Sequence, residues 1–434
     1  MTDRSIGPRY APYALAVLMV AYVLAFVDRQ VLNLLVEPIK HDLKLSDTGI
    51  SLLQGLSFAL FLSIGGLPIG RLVDTRRRVT VLSMGIAFWS IATGCFGLTR
   101  IYAVMLLSRI GVGVGEATMT PSAYSLLGDY FPPRRLGIAV GIYSMGAFIG
   151  SGLAMILGGA ILGMLPKGDV SLPLVGAVRN WQAIFLLLMP IGLGVALWVA
   201  SLREPRRGAG GSDETPGWGE VRRYFAAHWR PILGVDAAVG FTNMAAYGLL
   251  SWTPAMMART FQMGPAAAGW RLGWIVILAC SAGTFAAGLA GDALRSRGRE
   301  TGRLMVMASA LAAAIPLAIA APLMPAPGLF LALTAALLFC LSAALGSGPA
   351  TVQEITPGRM RGIQHAIAVL TANLLGLGLG PTIVALITDR IFARPAAIAW
   401  SLAIALPLML LIALGCCAFA MKVYASALRR QQIP

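Results

Sequence analysis

The sequence GRLVDTRRR occupies residues 70–78, and the sequence GLAGDALRSR occupies residues 288–297. In each of them a glycine is followed by an aspartate and then by a cluster of arginines. Both stretches come directly after an apolar segment of about 20 residues, which is the length of a helix that crosses a membrane. The same pattern at the same place in two halves of a chain predicts two parallel repeats, related by an axis along the membrane normal.

The rest of the chain is strongly apolar. Hydrophobic residues make up 57% of its 434 residues and charged residues 12%, whereas a soluble domain carries about 25% charged residues. Because a water-soluble core cannot bury this much apolar sequence, we predict an all-α integral membrane protein with twelve transmembrane helices. The predicted spans are residues 12–37, 51–70, 79–98, 102–126, 136–165, 180–202, 231–258, 267–291, 303–324, 327–352, 361–388 and 396–422.

A long polar segment divides the twelve spans into two sets of six. Residues 203–230 are rich in Gly, Pro and charged residues, a composition typical of a linker. We therefore predict a six-helix bundle over residues 1–202, a cytoplasmic linker over residues 203–230 and a second six-helix bundle over residues 231–434. The two bundles are expected to be pseudo-symmetric and to surround a central cavity.

The charged residues are predominantly basic, with 34 Lys and Arg against 18 Asp and Glu. In a soluble protein this excess indicates nucleic-acid binding, but arginines in cytoplasmic loops also orient helices during membrane insertion. Placing the linker and both termini in the cytoplasm puts most of the basic residues on that side. We predict a monomer in the cytoplasmic (inner) membrane, with both termini in the cytoplasm, the lipid bilayer around it and no nucleic-acid partner.

The sequence offers no pattern for catalysis or for metal binding. The five cysteines lie in apolar stretches without metal-ligand spacing, and neither His-Glu-x-x-His nor Gly-x-Ser-x-Gly occurs. The glycine-dense stretches 111–115 and 376–380 lie inside apolar spans, so we interpret them as packing glycines rather than dinucleotide-binding loops. We predict no enzymatic activity, no cofactor and no metal ion.

Four charged residues fall inside the predicted spans of the first half: Asp28 and Arg29 in helix 1, and Arg109 and Glu116 in helix 4. A charged side chain at the bilayer centre costs at least ~2.5–3.5 kcal/mol, and such residues usually have a function. With a rise of ~1.5 Å per residue, all four lie in one slab of the membrane. Arg109 and Glu116 are nearly two turns apart and project from the same face. We predict that the two acids and two bases meet and neutralise one another.

The same four residues predict a proton-linked switch. Burial disfavours the ionised form of a carboxyl group and a neighbouring arginine favours it, so either Asp28 or Glu116 is a candidate for the proton-coupling residue. Protonation, or binding of an anionic substrate, is then expected to release an arginine. A buried ionic network with a purely structural role is the alternative.

The stretches at residues 70–78 and 288–297 resemble the signature of the major facilitator superfamily between helices 2 and 3, and its weaker copy between helices 8 and 9. This resemblance implies that Asp74 and the arginines after it form contacts among cytoplasmic helix ends and hold the outward-facing state closed on the inside. Arginines that only set the topology, beside an aspartate that caps a helix, are the alternative. The implied conformational switch comprises Gly70, Asp74, Arg76, Arg77, Arg78, Asp129 and Asp292.

Within that superfamily, the first half of the chain resembles the spinster-like branch. The residues that carry this resemblance are Val27–Arg29, the sequence GIAFWS at 85–90, Arg109 with GVGVGEA at 111–117, GSGL at 150–153 and Arg203–Pro205. Helix 11 departs from it, because it lacks the His and Asp of animal members. The resemblance implies that Asp28, Arg29 and Glu116 form the coupling group. It also implies a lysolipid or a sphingoid phosphate as substrate.

These features together predict a secondary active transporter that works by alternating access and is coupled to protons. Buried charges in the first half and an apolar second half suit an amphiphilic or lipid-like substrate. The sequence GAFIGSG at residues 146–152 resembles the antiporter motif of drug exporters, with Ser151 in place of Pro, and favours export. A proton-coupled organic-anion or drug carrier is the alternative within transporters, and a channel is the alternative outside them.

The predicted substrate-binding residues combine the two arginines with polar side chains from three helices. Asp236 and Glu354 are predicted at the membrane interface, and His365 at the surface. The predicted proton-coupling residues are Asp28 and Glu116. The predicted substrate-binding residues are Arg29, Arg109, Asn33, Thr242, Asn243, Tyr247 and Asn373.

Overall fold

The computed structural model describes residues 10–166, 168–173, 175–205, 217–357 and 360–431. Residues 206–216, at the centre of the predicted linker, lie outside the described residues, as do residues 1–9 and 432–434 at the termini. The described chain forms two compact units. Unit 1 holds the residues up to 205 together with Gln262–Ile277, and unit 2 holds the remainder. The predicted domain boundaries stay a prediction.

Unit 1 is a helical bundle with one small hairpin. Its elements are α1 Tyr10–Leu34, α2 Val36–Leu43, α3 Asp47–Ser51, a π-helical turn at Leu52–Leu56, α4 Ser57–Thr75, α5 Arg78–Leu98, α6 Tyr102–Glu116, α7 Met119–Tyr130, α8 Pro133–Met164, β1 Asp169–Leu172, β2 Gly176–Arg179 and α9 Asn180–Ala200. Helix α1 packs against α8, α5 packs against α9, and α6 packs against both α4 and α5. The buried apolar residues lie along these helix contacts.

Unit 2 is also a helical bundle. Its elements are α10 Trp218–Phe261, α11 Pro265–Ser296, α12 Gly302–Ala320, α13 Pro327–Ile355, α14 Arg361–Thr371, a π-helical segment at Ala372–Leu379, α15 Gly380–Leu386, a second π-helical segment at Ile387–Phe392 and α16 Ile398–Gln431. The first residues of α11 belong to unit 1. Helix α10 packs against α16, α13 and the segment Ala372–Leu379, and α12 packs against α13 and α16.

Each of the twelve predicted spans coincides with a helical stretch, which confirms the predicted all-α fold class. Within the described residues, eleven stretches of helix have both the length and the hydropathy needed to cross a membrane. The predicted span 102–126 does not count among them because two residues divide it into α6 and α7. The division comes directly after Glu116, so this charged side chain lies at a helix end.

Helix α10 begins at Trp218, inside the segment predicted as a linker. Its first turns place Val221 and Tyr224 against unit 2, where Tyr224 Oη donates a hydrogen bond of 2.7 Å to the carbonyl oxygen of Ile355. Arg222 and Arg223 lie on the exposed side. Arg222 and Arg223, two of the charged residues that suggested a linker, therefore lie on the exposed face of an amphipathic helix.

The hairpin β1–β2 was not predicted from the sequence. Its strands are antiparallel and pair Val170 with Val178, and Gly176 takes a positive φ of 87° at the turn, which glycine adopts without a steric penalty. Arg179 fixes the hairpin to α2, because its Nε donates to Asp42 Oδ1 at 3.2 Å. The hairpin is thus tied to the end of the α1–α2 segment by an ion pair.

Candidate functional site

The four charged residues predicted inside the membrane come together in unit 1. Helix α1 supplies Asp28 and Arg29, and α6 supplies Arg109 and Glu116. Arg29 Nη2 donates to Glu116 Oε2 at 2.5 Å, and the two side chains are 10% and 1% exposed. An acid and a base from different helices therefore form a salt bridge in the interior of the bundle.

Asp28 is held by a hydroxyl group. Thr93 Oγ1 on α5 donates to Asp28 Oδ2 at 2.5 Å, whereas Asp28 Oδ1 is buried without a hydrogen-bond partner in the described part of the chain. Among the described residues Asp28 forms no salt bridge, so Glu116 is the acid that holds an arginine. Asp28 thus retains an oxygen that is free to accept a further hydrogen bond.

Arg109 is held by the backbone of a π-helical turn. Its Nε donates to the carbonyl oxygen of Leu53 at 3.0 Å, and Leu53 lies in the turn Leu52–Leu56 between α3 and α4. Single π-helical turns occur frequently at functional sites. Arg109 is 1% exposed, and its Nη2 has no partner among the described residues. This guanidinium group therefore keeps one hydrogen-bond donor available.

Both guanidinium groups lie close to one aromatic ring. The Cζ atoms of Arg29 and Arg109 lie 4.8 and 5.1 Å from the centroid of the Phe58 ring. Arg29 Cζ also lies 4.6 Å from the centroid of Phe26. A cation over an aromatic face is stabilised by about 0.5–2 kcal/mol. Phe58 therefore contacts both cations of the cluster.

A chain of amides extends the polar network from α1. Asn33 Nδ2 donates to Gln30 Oε1 at 2.5 Å, and Gln54 Nε2 donates to Asn33 Oδ1 at 3.0 Å. All three side chains are buried. Asn33 was predicted as a substrate contact, whereas Gln30, Gln54 and Thr93 were missed. A polar side chain within an apolar span is the signal that would have identified them.

Gly113 brings α6 close enough to α4 for this arrangement. A Cβ atom at Gly113 would lie 2.6 Å from the carbonyl oxygen of Phe58, so the two backbones approach more closely than any larger residue allows. The stretch 111–115 therefore contains packing glycines, as its position within an apolar span indicated.

Replacing Gly113 by Ala is expected to lower the free energy of unfolding by about 1–3 kcal/mol, because overpacking of a close contact costs that amount. The melting temperature of the purified protein in detergent measures the effect. Gly66→Ala on α4 is the matched control, since a Cβ atom there would meet no atom within 4 Å. Equal melting temperatures for the two variants would contradict the close approach.

The predicted polar residues of the second half lie in unit 2. Thr242 Oγ1 donates to the carbonyl oxygen of Ala238 at 2.6 Å, and Asn243 Nδ2 donates to that of Val239 at 3.1 Å, so both bond to their own helix. Thr242 is fully buried, while Asn243, Tyr247 and Asn373 are half-buried. A Cβ atom at Gly376 would lie 2.7 Å from Asn243 Cβ and 3.3 Å from Tyr247 Cδ2. Gly376 therefore packs on these two side chains.

Of the predicted switch residues in unit 1, the structure brings Arg78 and Asp129 together. Arg78 is buried at the start of α5, and its Nη1 donates to Asp129. Its Nε donates to Glu204 Oε1 at 2.8 Å, and Glu204 Oε2 accepts from the backbone N–H of Val79 at 2.9 Å. Arg78 therefore links α5, α7 and the segment after α9. The remaining predicted residues Asp74, Arg76 and Arg77 are exposed, and Gly70 has open space beside it.

Unit 2 holds a corresponding network. Arg303 Nη2 donates to Asp292 Oδ1 at 3.0 Å and its Nη1 donates to Glu354 Oε1 at 2.6 Å. Arg295 pairs with the same carboxylate, and Tyr424 Oη donates to Glu354 Oε2 at 2.6 Å. Helices α11, α12, α13 and α16 thus share one cluster of charges. In each unit, a buried or half-buried ion pair therefore connects the helix ends.

The cluster of Asp28, Arg29, Arg109 and Glu116 carries two positive and two negative charges when all four are ionised. Asp28 Oδ1, Glu116 Oε1 and Arg109 Nη2 are buried polar atoms without a partner among the described residues. Such atoms are costly unless another group satisfies them. A proton on a carboxylate, or an anionic group on a guanidinium, fits these positions. Within the described part of the chain, no group of three or more His, Cys, Asp and Glu is placed to hold a metal ion.

The chain matches the model of a known family. The model described as Major Facilitator Superfamily matches residues 18–381 of the chain. A crystal structure of a bacterial homologue of the human lysosomal transporter spinster, in an inward-facing and unoccupied conformation, matches with a TM-score of 0.79 and 27% identity over 97% of each chain. The resemblance to the spinster-like branch is therefore confirmed.

Curated relatives match over a shorter length. An MFS-type efflux pump of Mycolicibacterium smegmatis is 30% identical over 255 residues, which are 58% of this chain and 56% of the pump. The sphingosine-1-phosphate transporter SPNS2 of Danio rerio is 26% identical over 258 residues, which are 57% of this chain and 47% of that protein. The chain thus aligns with about half the length of each. Both relatives are transporters by name rather than enzymes.

Proposed function

Because the chain belongs to the Major Facilitator Superfamily, we propose that it is a proton-coupled secondary transporter for an amphiphilic, lipid-like substrate. The substrate has an anionic headgroup, as a lysolipid or a sphingoid phosphate has, and the transporter works by alternating access. The observation that carries this proposal is the buried salt bridge between Arg29 and Glu116. It is supported by Asp28 and Arg109, which lie beside it with unpartnered polar atoms.

Proton coupling follows from the charges of the salt bridge. When Glu116 is ionised, it neutralises Arg29 at 2.5 Å. A proton on Glu116 removes that negative charge and leaves Arg29 available for an anion. Conversely, an anion that binds Arg29 leaves Glu116 as a buried carboxylate without its cation, which is strongly unfavourable until the carboxylate takes up a proton. Binding of the headgroup and protonation of Glu116 are therefore linked.

The two arginines provide the headgroup site. A guanidinium group binds phosphate or carboxylate through two parallel hydrogen bonds, and Arg109 Nη2 is an unused buried donor among the described residues. Phe26 and Phe58 hold the guanidinium groups in place. The lipid-like character of the substrate is supported by the similarity to the sphingosine-1-phosphate transporter of Danio rerio.

Orientation and direction belong to the same proposal. Both termini and the linker at residues 203–230 lie in the cytoplasm, and the protein is a monomer of the cytoplasmic membrane. The arginines at residues 76–78 and 295–303 support this orientation, because basic residues concentrate in cytoplasmic loops. Export is the proposed direction, and the similarity to the efflux pump of Mycolicibacterium smegmatis supports it. That relative also favours a second candidate, a proton-coupled carrier of drugs or organic anions.

Sphingosine-1-phosphate is expected to raise the melting temperature of the purified protein, and Arg29→Ala is expected to abolish this rise because it removes the cation of the site. The measurement is a thermal-shift screen that also contains lysolipids, sugar acids and cationic drugs. Arg29→Lys should retain part of the rise, since an ammonium group keeps the charge but loses bidentate geometry. Arg135→Ala, an exposed arginine at the start of α8, is the control.

Each outcome of the screen separates the candidates. Stabilisation by sphingosine-1-phosphate or a lysolipid that depends on Arg29 supports the lipid carrier. Stabilisation by a sugar acid or a cationic drug alone would replace it with the second candidate. A lipid effect that persists in Arg29→Ala would remove Arg29 from the substrate site.

A further inference from the structure

A buried carboxyl group lies in unit 2, far along the chain from the four-charge cluster. Asp236 on α10 is 6% exposed, and its Oδ2 accepts a hydrogen bond of 2.9 Å from Gln364 Nε2 on α14. The sequence placed Asp236 near the interface because it follows Pro231 closely. That placement stays a prediction; the structure shows that the helix begins at Trp218 and that Asp236 lies in its interior along the chain.

Asp236 differs from the buried acids Glu116 and Asp47, which form salt bridges with Arg29 and Lys40. Among the described residues its hydrogen-bond partner is the neutral amide of Gln364, and it takes part in no salt bridge. An ionised carboxylate buried without a cation is strongly disfavoured. A carboxyl group that is buried without a cation commonly becomes neutral by binding a proton. Asp236 is therefore suited to a change of protonation state.

The helices packed against α10 carry other charged and titratable groups. Glu354 on α13 bonds to Arg303 and Tyr424, and Arg361 Nε on α14 donates to the carbonyl oxygen of Thr356 at 3.1 Å. Lys422 on α16 is exposed. His365 is half-buried directly after Gln364 on α14, and the segment Ala372–Leu379 contains no titratable side chain. On α10 itself, the neighbouring titratable residues are Tyr224, His228 and Arg230.

Gln364 has the chemistry to serve both protonation states of Asp236. Its Nε2 donates to the carboxylate, while its Oε1 is buried and has no hydrogen-bond partner in the described part of the chain. A side-chain amide carries two donors on nitrogen and an acceptor on oxygen. If a proton is added to a carboxylate oxygen of Asp236, rotation of the amide lets Oε1 accept the new O–H group. The proton is the only atom added, and no covalent bond breaks elsewhere.

We propose that Asp236 and Gln364 form a second proton-binding site, located in unit 2 and separate from the cluster around Glu116. The two residues join α10 to α14, and the same contact between α10 and the chain after α14 continues through Gly376, which packs on Asn243 and Tyr247. A change at Asp236 therefore acts on the helix pair that holds the predicted polar residues of unit 2. The role of this site in transport rests on the function proposed above, whereas the binding of a proton does not.

Protonation is tested on the purified full-length protein without any substrate. Infrared difference spectroscopy during a pH titration records the C=O band of each carboxyl group that becomes protonated. Asp236→Asn is expected to remove one titrating band, and Glu116→Gln is expected to remove a different one. Glu300→Gln, at an exposed acid between α11 and α12, should leave both bands in place.

Gln364→Leu provides the second variant. It keeps the carboxyl group but removes its amide partner, so the band of Asp236 should remain and its titration midpoint should shift. Melting temperatures of all variants establish that they are folded. A titration of Asp236→Asn identical to that of the unmodified protein would overturn the proposal, as would a Gln364→Leu midpoint that does not move.

A transport measurement then separates this proposal from the proposed function. In proteoliposomes with sphingosine-1-phosphate as probe, Asp236→Asn is expected to reduce the number of protons moved per substrate by one. An unchanged ratio would exclude Asp236 from coupling. If sphingosine-1-phosphate is not transported at all, the proposed substrate fails, and the infrared titration still decides whether Asp236 binds a proton.

Discussion

Replacing Glu116 by Gln is expected to abolish accumulation of substrate driven by a pH gradient, while exchange of substrate across the membrane continues. Gln has the shape of a protonated Glu, so the variant imitates one protonation state permanently. The ion pair between Arg29 and Glu116 is then lost at every pH, since Glu116 Oε2 is the acceptor of this 2.5 Å salt bridge. Binding of the headgroup can no longer be linked to the uptake of a proton.

The two activities are measured on the same proteoliposomes. Uptake of sphingosine-1-phosphate under an imposed pH gradient reports coupling, and counterflow without a gradient reports the alternating movement. Glu300→Gln removes an exposed carboxylate and is expected to retain both activities. Accumulation by Glu116→Gln at the level of the unmodified protein would exclude Glu116 from proton coupling. Loss of counterflow as well would instead indicate that the salt bridge is needed for the conformational cycle.

The fold was largely predictable because membrane-spanning sequence is constrained by one physical requirement. Backbone groups in hydrocarbon must be satisfied within the helix, so long apolar segments locate the helices directly. The first and last residues of the helices were less predictable, since they depend on contacts between residues distant in sequence. Helix α10 starts at Trp218 because Tyr224 bonds to Ile355 and Val221 packs inward, and neither contact is visible in the local composition.

The charged part of the candidate site was predictable for a related reason. A charge in an apolar span is expensive, so Asp28, Arg29, Arg109 and Glu116 were conspicuous. Their pairing was only partly anticipated, because Asp28 bonds to Thr93 and Arg109 to the carbonyl of Leu53. The second of these contacts depends on a π-helical turn, whose extra residue leaves no mark in hydropathy. Uncharged partners and backbone acceptors could therefore not be predicted from the sequence pattern.

Replacing Arg78 by Ala is expected to lower the free energy of unfolding by about 3 kcal/mol, the lower part of the range for removing one partner of a buried ion pair. We expect a loss of free energy at the lower end of that range because the side chains of Asp129 and Glu204 are 19% and 18% exposed. Glu204 also keeps its hydrogen bonds to the backbone N–H groups of Arg78 and Val79, at 3.2 and 2.9 Å. Carboxylates at a helix N-terminus are stabilised by the helix dipole. Asp129 is therefore the carboxylate that loses the most stabilisation when Arg78 is removed.

A double-mutant cycle isolates the contribution of the ion pair. The melting temperatures of Arg78→Ala, Asp129→Asn and the combined variant are compared in detergent. Arg77→Ala, at an exposed arginine directly before α5, is the control for stability. The combined variant is expected to be less destabilised than the sum of the single changes, because a neutral side chain at position 129 no longer requires the charge of Arg78. Additive effects would show that Arg78 and Asp129 act independently. In that case the tie between α5 and α7 would depend on Ser125, whose hydroxyl and carbonyl oxygens accept from Arg78 Nη1 at 3.0 and 3.2 Å.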